Sequence, residues 1–142
     1  MNLKIGGPEA IRDIKDSIVI GVKGIVAPMV ESDFGLKKFI SAIEKYIDPS
    51  IVPTLNLAIN VETKTTINNL DKILEVDEVK KLYAMTIGRV DLSSSLGLKR
   101  IQINNEQMFK IVTSAFEKIK LKGMKTIMGG GISIEAYDFI QD

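Results

Sequence analysis

Hydrophobic positions along this chain follow two alternating rhythms. Short apolar, β-rich runs near residues 2–6, 24–29, 55–62, 82–90 and 124–129 each end in glycine or a polar residue, and stretches of helical period follow them. Leu36, Phe39, Ile40, Ile43 and Ile47 mark a helix over 33–47, with Ser32 placed to accept a first-turn N–H. Met108, Ile111, Val112, Ala115 and Ile119 mark another over 105–121, and Gly123 supplies its stop. Ile11, Ile14 and Ile18 predict a helix after Pro8, which suits a first helical position, and Ile67, Leu70 and Leu74 one after Thr63; a last helix is expected over about 132–141.

The order βαβαβαβαβα implies a parallel sheet with helical crossovers. The third strand separates two architectures. Leu55, Leu57, Ile59 and Val61 fall on one face, and Asn56, Ala58, Asn60 and Glu62 on the other. An open sheet covered by helices on both sides needs two apolar faces. One oily face and one small or polar face suits a barrel strand, with helices outside and a site at the C-terminal strand ends. The first strand agrees, with Leu3 and Ile5 opposing Asn2 and Lys4. The expected fold class is therefore α/β, of the parallel (β/α)8 TIM-barrel type. Such a barrel takes about 250 residues, so the 142 residues here read as a single domain, 1–142, holding about five of eight βα units. Unpaired strand edges would favour association with other chains.

Composition narrows the chemistry. Lys and Arg number 19 against 18 Asp and Glu, a net charge of +1. No concentrated basic surface points to nucleic acid. No run of 18 apolar residues spans a membrane, and the first residues do not resemble a signal peptide, so the expected location is the cytoplasm. Cysteine and histidine are both absent. Thiolate nucleophiles, imidazole bases and zinc sites built on either residue are excluded. Catalysis must rest on carboxylates, Lys, Arg, hydroxyls, backbone amides or an oxygen-ligated metal.

Polar residues gather where the strands end, and in a parallel α/β fold these ends share one rim. Glu62 and Asp91 each close an apolar strand, and the two strands are consecutive. Neighbouring strands lie about 4.8 Å apart, so both carboxylates could reach one hard cation such as Mg²⁺ or Mn²⁺. Acids at these positions also cap the helices or turns that follow, and the pattern alone leaves both readings open. Lys4 and Arg89 are candidates to hold a substrate carboxylate, or to pair with a rim acid. Glu31 is either a supporting acid or the cap of helix 33–47. The run Ser93-Ser94-Ser95 is rich in donors but also reads as a turn. Gly129-Gly130-Gly131 could cradle an anion with its amides, or only permit a tight turn.

The strings Lys4-Ile5-Gly6-Gly7-Pro8-Glu9-Ala10, Ile25-Val26-Ala27-Pro28-Met29-Val30-Glu31, Ile59-Asn60-Val61-Glu62-Thr63 and Ile87-Gly88-Arg89-Val90-Asp91-Leu92-Ser93 occur in order, with Ser95-Leu96-Gly97 after them. Together they resemble the HpcH/HpaI aldolase and citrate lyase β-subunit family, a branch of the phosphoenolpyruvate/pyruvate-type (β/α)8 barrels. The resemblance covers almost the whole chain. It implies that Glu62 and Asp91 hold Mg²⁺ or Mn²⁺, and that the serines after Asp91 (Ser93 and Ser94) and the rim glycines Gly129 and Gly130 lie beside the substrate. It implies a carbon–carbon lyase acting on a 2-oxo acid, hydroxy acid or acyl-CoA-type substrate through an enolate, in a homo-oligomer; Lys4, Arg89 and Glu31 are the catalytic candidates by their position on the rim, not by a match to the family. Two other readings stand beside it: phosphoryl transfer on a pyruvate-like enolate, although no Gly-Lys-Ser/Thr phosphate loop is present, or an inactive partial barrel serving as a subunit or interaction module. The chain departs from the family in lacking its usual histidine and in carrying Arg89 where aldolase members often have proline.

Overall fold

In the computed structural model, which describes residues 1–141, strands β1 (Asn2–Lys4), β2 (Gly24–Ala27), β3 (Asn56–Val61), β4 (Ala84–Gly88) and β5 (Lys125–Gly129) form one sheet. Every pairing is parallel, and the strand order is the chain order, β1-β2-β3-β4-β5. No reversal of strand order occurs, so the sheet lacks the switch point of a doubly wound fold. It curls as part of a (β/α) barrel, with about five of the eight units.

Right-handed crossovers with unreversed order place the helices on one face. Helices α1 (Ile11–Ile20), α2 (Asp33–Tyr46), α3 (Lys64–Glu75) and α5 (Glu106–Leu121) form that layer, each packed on the next. The core lies between layer and sheet. Phe39, Ile40 and Ile43 of α2 and Leu70 and Ile73 of α3 are buried there with Ile25, Ile59, Met85 and Ile87 of the strands. Burial of such a side chain contributes about 1.5–3 kcal/mol relative to leaving it exposed. The opposite, concave face carries Ala58 and Asn60 on β3, Thr86 on β4 and Ile127 on β5.

Local chemistry sets the boundaries. Ser32 caps α2 by accepting from the Gly35 N–H at 3.0 Å, and Thr63 caps α3 by accepting from Thr66 at 3.1 Å. Gly123, at φ 76°, ends α5 in the left-handed conformation. β2 stops at Ala27 because Pro28 has no N–H for the ladder.

Four expectations are corrected. The fourth strand does not reach residue 90: it ends at Gly88, and α4 (Arg89–Ser95) begins at once. The serines that read as a turn are helical, with Ser93 Oγ donating to the Val90 carbonyl and Ser95 Oγ to the Leu92 carbonyl, both at 2.9 Å. Serine competes with the backbone for hydrogen bonds and weakens a sequence signal for helix. Pro8 lies in the turn before α1 rather than at its first position. The last helical segment is shorter than 132–141: a single 3-10 turn (Ile134–Ala136) leads into α6 (Tyr137–Gln141).

Candidate active site at the carboxyl ends of the strands

Register brings the site together. In parallel pairing, partnered residues project to the same face. Asn60 is paired with Thr86, so Glu62, just past the end of β3, follows Asn60 onto the concave face beside Gly88 of β4, which is itself paired with Gly129 of β5. A β-carbon at Gly88 would stand 2.9 Å from both the Glu62 β-carbon and its Oε2. Glycine is needed there because the carboxylate occupies that space.

Glu62 is 2% exposed, and its carboxylate is held at both oxygens. Oε1 accepts the Met29 backbone N–H, and Oε2 accepts from Asn60 Nδ2, each at 3.1 Å. Each carboxylate oxygen has two lone pairs, so both keep one for a further partner. Asp91 lies in the first turn of α4, just beyond Gly88. It is exposed, and its carboxylate has neither hydrogen bond nor ion pair among the described residues. No group of three or more His, Cys, Asp or Glu converges among the described residues. A cation here would take two carboxylates from the protein and its other ligands from water and substrate, which is how Mg²⁺ is ordinarily held. The all-oxygen donor set and the free lone pairs of Glu62 fit such an ion.

Glu31 Oε1 accepts the Thr63 hydroxyl at 2.6 Å, and its backbone carbonyl accepts from Asn69 Nδ2 at 2.8 Å. It joins the loop after β2 to the loop after β3, while Ser32 is the cap of α2. Lys64 N–H donates to Ser95 Oγ at 2.7 Å, fastening α3 to α4 in the same way. Lys4 pairs with Val26, itself paired with Ala58. It therefore shares the concave face with Glu62, nearer the strand starts, and its exposed ammonium has neither hydrogen bond nor ion pair among the described residues.

Arg89 does not stand open on the rim. It is 0% exposed. Its Nε donates to the Gly130 carbonyl at 3.2 Å, its NH2 to the Gly131 carbonyl at 2.9 Å and its NH1 to Asn104 Oδ1 at 2.7 Å. The Phe139 ring lies 4.4 Å from the guanidinium carbon. Burial pushes the guanidinium's pKa down, and Arg100 nearby adds to the shift. The expectation that Arg89 grips a substrate carboxylate gives way to an internal clamp on the loop after β5. Ser93 is likewise buried, its hydroxyl bound to Val90, whereas Ser94 is exposed. Gly130 and Gly131 have φ of 82° and 64°, and a β-carbon at Gly130 would stand 2.7 Å from Val90 Cγ2. The glycines thus let the loop press onto the start of α4, with both carbonyls turned to Arg89.

Met29, Asn60 and Asn104 were not singled out in the sequence. The strand alternation placed Asn60 on the face of Glu62, a signal that could have marked it. Nothing local marked Asn104, whose partner Arg89 is distant in the chain, or Met29, which acts through its backbone.

Comparison with known proteins agrees with this architecture. The chain is 26% identical over 133 residues to the 2-keto-3-deoxy-L-rhamnonate aldolase of Escherichia coli O6:K15:H31 (strain 536 / UPEC), an alignment covering 78% of this chain and 48% of that protein. The chain thus spans about half the length of the curated relatives it matches. The crystal structure of citrate synthase SbnG superposes with a TM-score of 0.74 at 20% identity, covering 99% of this chain and 60% of that one. Protein CitE from Mycobacterium tuberculosis, in complex with magnesium and acetoacetate, does so with a TM-score of 0.66 at 15% identity, covering 99% and 54%. Residues 5–129 match the HpcH/HpaI aldolase/citrate lyase family, and the chain, with its parallel partial barrel and its acids at the strand ends, belongs to that family.

Proposed function

We propose that this chain carries the metal-binding half-rim of a divalent-metal-dependent carbon–carbon lyase, acting on a 2-oxo acid, hydroxy acid or acyl-CoA-type substrate. The observation that carries this reading is Glu62: a buried carboxylate at a strand end, oriented through both oxygens and packed against Gly88. Family membership and the magnesium complex of CitE support it. Glu62 and Asp91 would hold Mg²⁺ or Mn²⁺. The ion, when bound, supplies Lewis-acid stabilisation of the charge that develops on the substrate's carbonyl oxygen as a carbon–carbon bond breaks or forms.

The chain's own residues do the rest. Lys4, an unpaired cation on the same face, meets the substrate carboxylate. Glu31, braced by Thr63, orients water or a neighbouring group between two rim loops. Ser94 and the Gly129–Gly130 stretch line the substrate side. Arg89 acts at one remove, by holding that stretch in place.

Thermal unfolding with Mg²⁺ or Mn²⁺, with and without oxalate as an enolate mimic, tests the proposal. A ligand present at 100 times its dissociation constant stabilises by about 2.7 kcal/mol. A metal-dependent oxalate shift that disappears in Glu62→Gln is expected. A cooperative melt unmoved by metal and oxalate would refute the reading.

A further inference from the structure

Among the described residues, Met29 alone is a non-glycine with positive φ, at 53°. A β-carbon strongly disfavours that region. Its side chain does not explain the choice, being 48% exposed. The neighbours show what the backbone achieves. Pro28 has no N–H, so Met29 carries the first amide donor after β2, and that amide lies 3.1 Å from Glu62 Oε1. The left-handed turn carries the chain away directly afterwards, so Val30 is buried and Ser32 reaches its place as the cap of α2. Strain of this kind persists where the surroundings over-determine it, and it gathers at functional sites.

We propose that Met29 is a positioning residue: its left-handed backbone keeps its amide on Glu62 Oε1 and, with Asn60 on Oε2, sets the direction in which the carboxylate offers its free lone pairs. This rests on the reading of Glu62 as a ligand of a divalent cation. Residues that orient a metal ligand commonly change affinity by about 10–100-fold when altered.

The test is a series in the full chain: Met29→Gly, Met29→Asn and Met29→Val. Glycine and asparagine accept a left-handed backbone, whereas β-branched valine resists it. Mn²⁺ affinity is measured by calorimetry and folding by melts without metal. Gly and Asn should bind Mn²⁺ as the parent does, and Val about 10-fold more weakly or worse. Should Met29→Val fail to fold, Met29→Thr makes the same comparison, since threonine is β-branched as well and resists the left-handed backbone. Equal affinity across the series overturns the proposal, and so does a Gly variant as weak as Val, which would place the role in the side chain. A second readout needs no metal. In ¹⁵N-labelled protein the Met29 amide proton should move upfield in Glu62→Ala, and an unmoved amide overturns the positioning role. If the parent chain binds no Mn²⁺, the metal reading falls, and the amide measurement still decides whether Met29 holds Glu62.

Discussion

Replacing Arg89 with methionine tests how a buried cation with no carboxylate partner among the described residues is kept inside this protein. The guanidinium donates to the carbonyls of Gly130 and Gly131 and to Asn104 Oδ1, and stacks against Phe139. Hydrogen bonds to a charged group contribute about 1.5–3 kcal/mol each, and a cation–π contact about 0.5–2 kcal/mol. Against this stands the desolvation of an ion, which costs several kcal/mol even after relaxation. Methionine fills similar volume, escapes that cost and loses every donor. The expected net loss is about 3 kcal/mol, a drop in Tm of roughly 6–12 °C at about 2–4 °C per kcal/mol for a chain near this size. Arg89→Lys keeps the charge, but one ammonium cannot span acceptors arranged for a planar fork, so it should fall between parent and Met. Calorimetry and urea titration give the stability, and amide exchange at Gly130 and Gly131 reports the loop. A Met variant that melts within about 2 °C of the parent, or above it, on that same scale would show that desolvation outweighs the bonds, and the clamp would be refuted.

Four further outcomes follow from the same geometry. Gly88→Ala drives a β-carbon against the Glu62 β-carbon and Oε2; it should destabilise by about 1–3 kcal/mol and abolish the Mn²⁺-dependent thermal shift. Asn60→Leu removes the donor to Oε2; Mn²⁺ affinity by calorimetry should weaken about 10-fold or more. Thr63→Ala removes the cap of α3 and the hydroxyl bound to Glu31; a loss of about 1 kcal/mol in urea unfolding is expected for the cap. Hydrogen bonds from the Ser50 hydroxyl and backbone N–H hold the Asp48 carboxyl below its ordinary pKa. A lowered folded-state pKa stabilises above the unfolded value and is lost as pH falls through the folded one. In Ser50→Ala the Asp48 carboxyl midpoint, followed by NMR, should therefore move upward, and the protein's acid-side stability should become less dependent on this group.

The architecture is legible in the residue pattern alone. Apolar positions of period two and near 3.6 are local properties, and five such pairs in order admit only a parallel sheet with helical crossovers. The polar face of the third strand, with Asn60 and Glu62 on it, was legible for the same reason, as was the cap at Ser32. Tertiary structure decided what those residues touch. Register set Gly88 against Glu62, and a left-handed backbone at Met29 brought an amide to the same carboxylate from a neighbouring strand end. Arg89 looked from its position like a rim cation, yet α4 starts at that residue, and its first turn carries the side chain inward to carbonyls far along the chain. Periodicity records which face a residue takes. Partners distant in sequence are fixed only when the strands pair and the loops close over them.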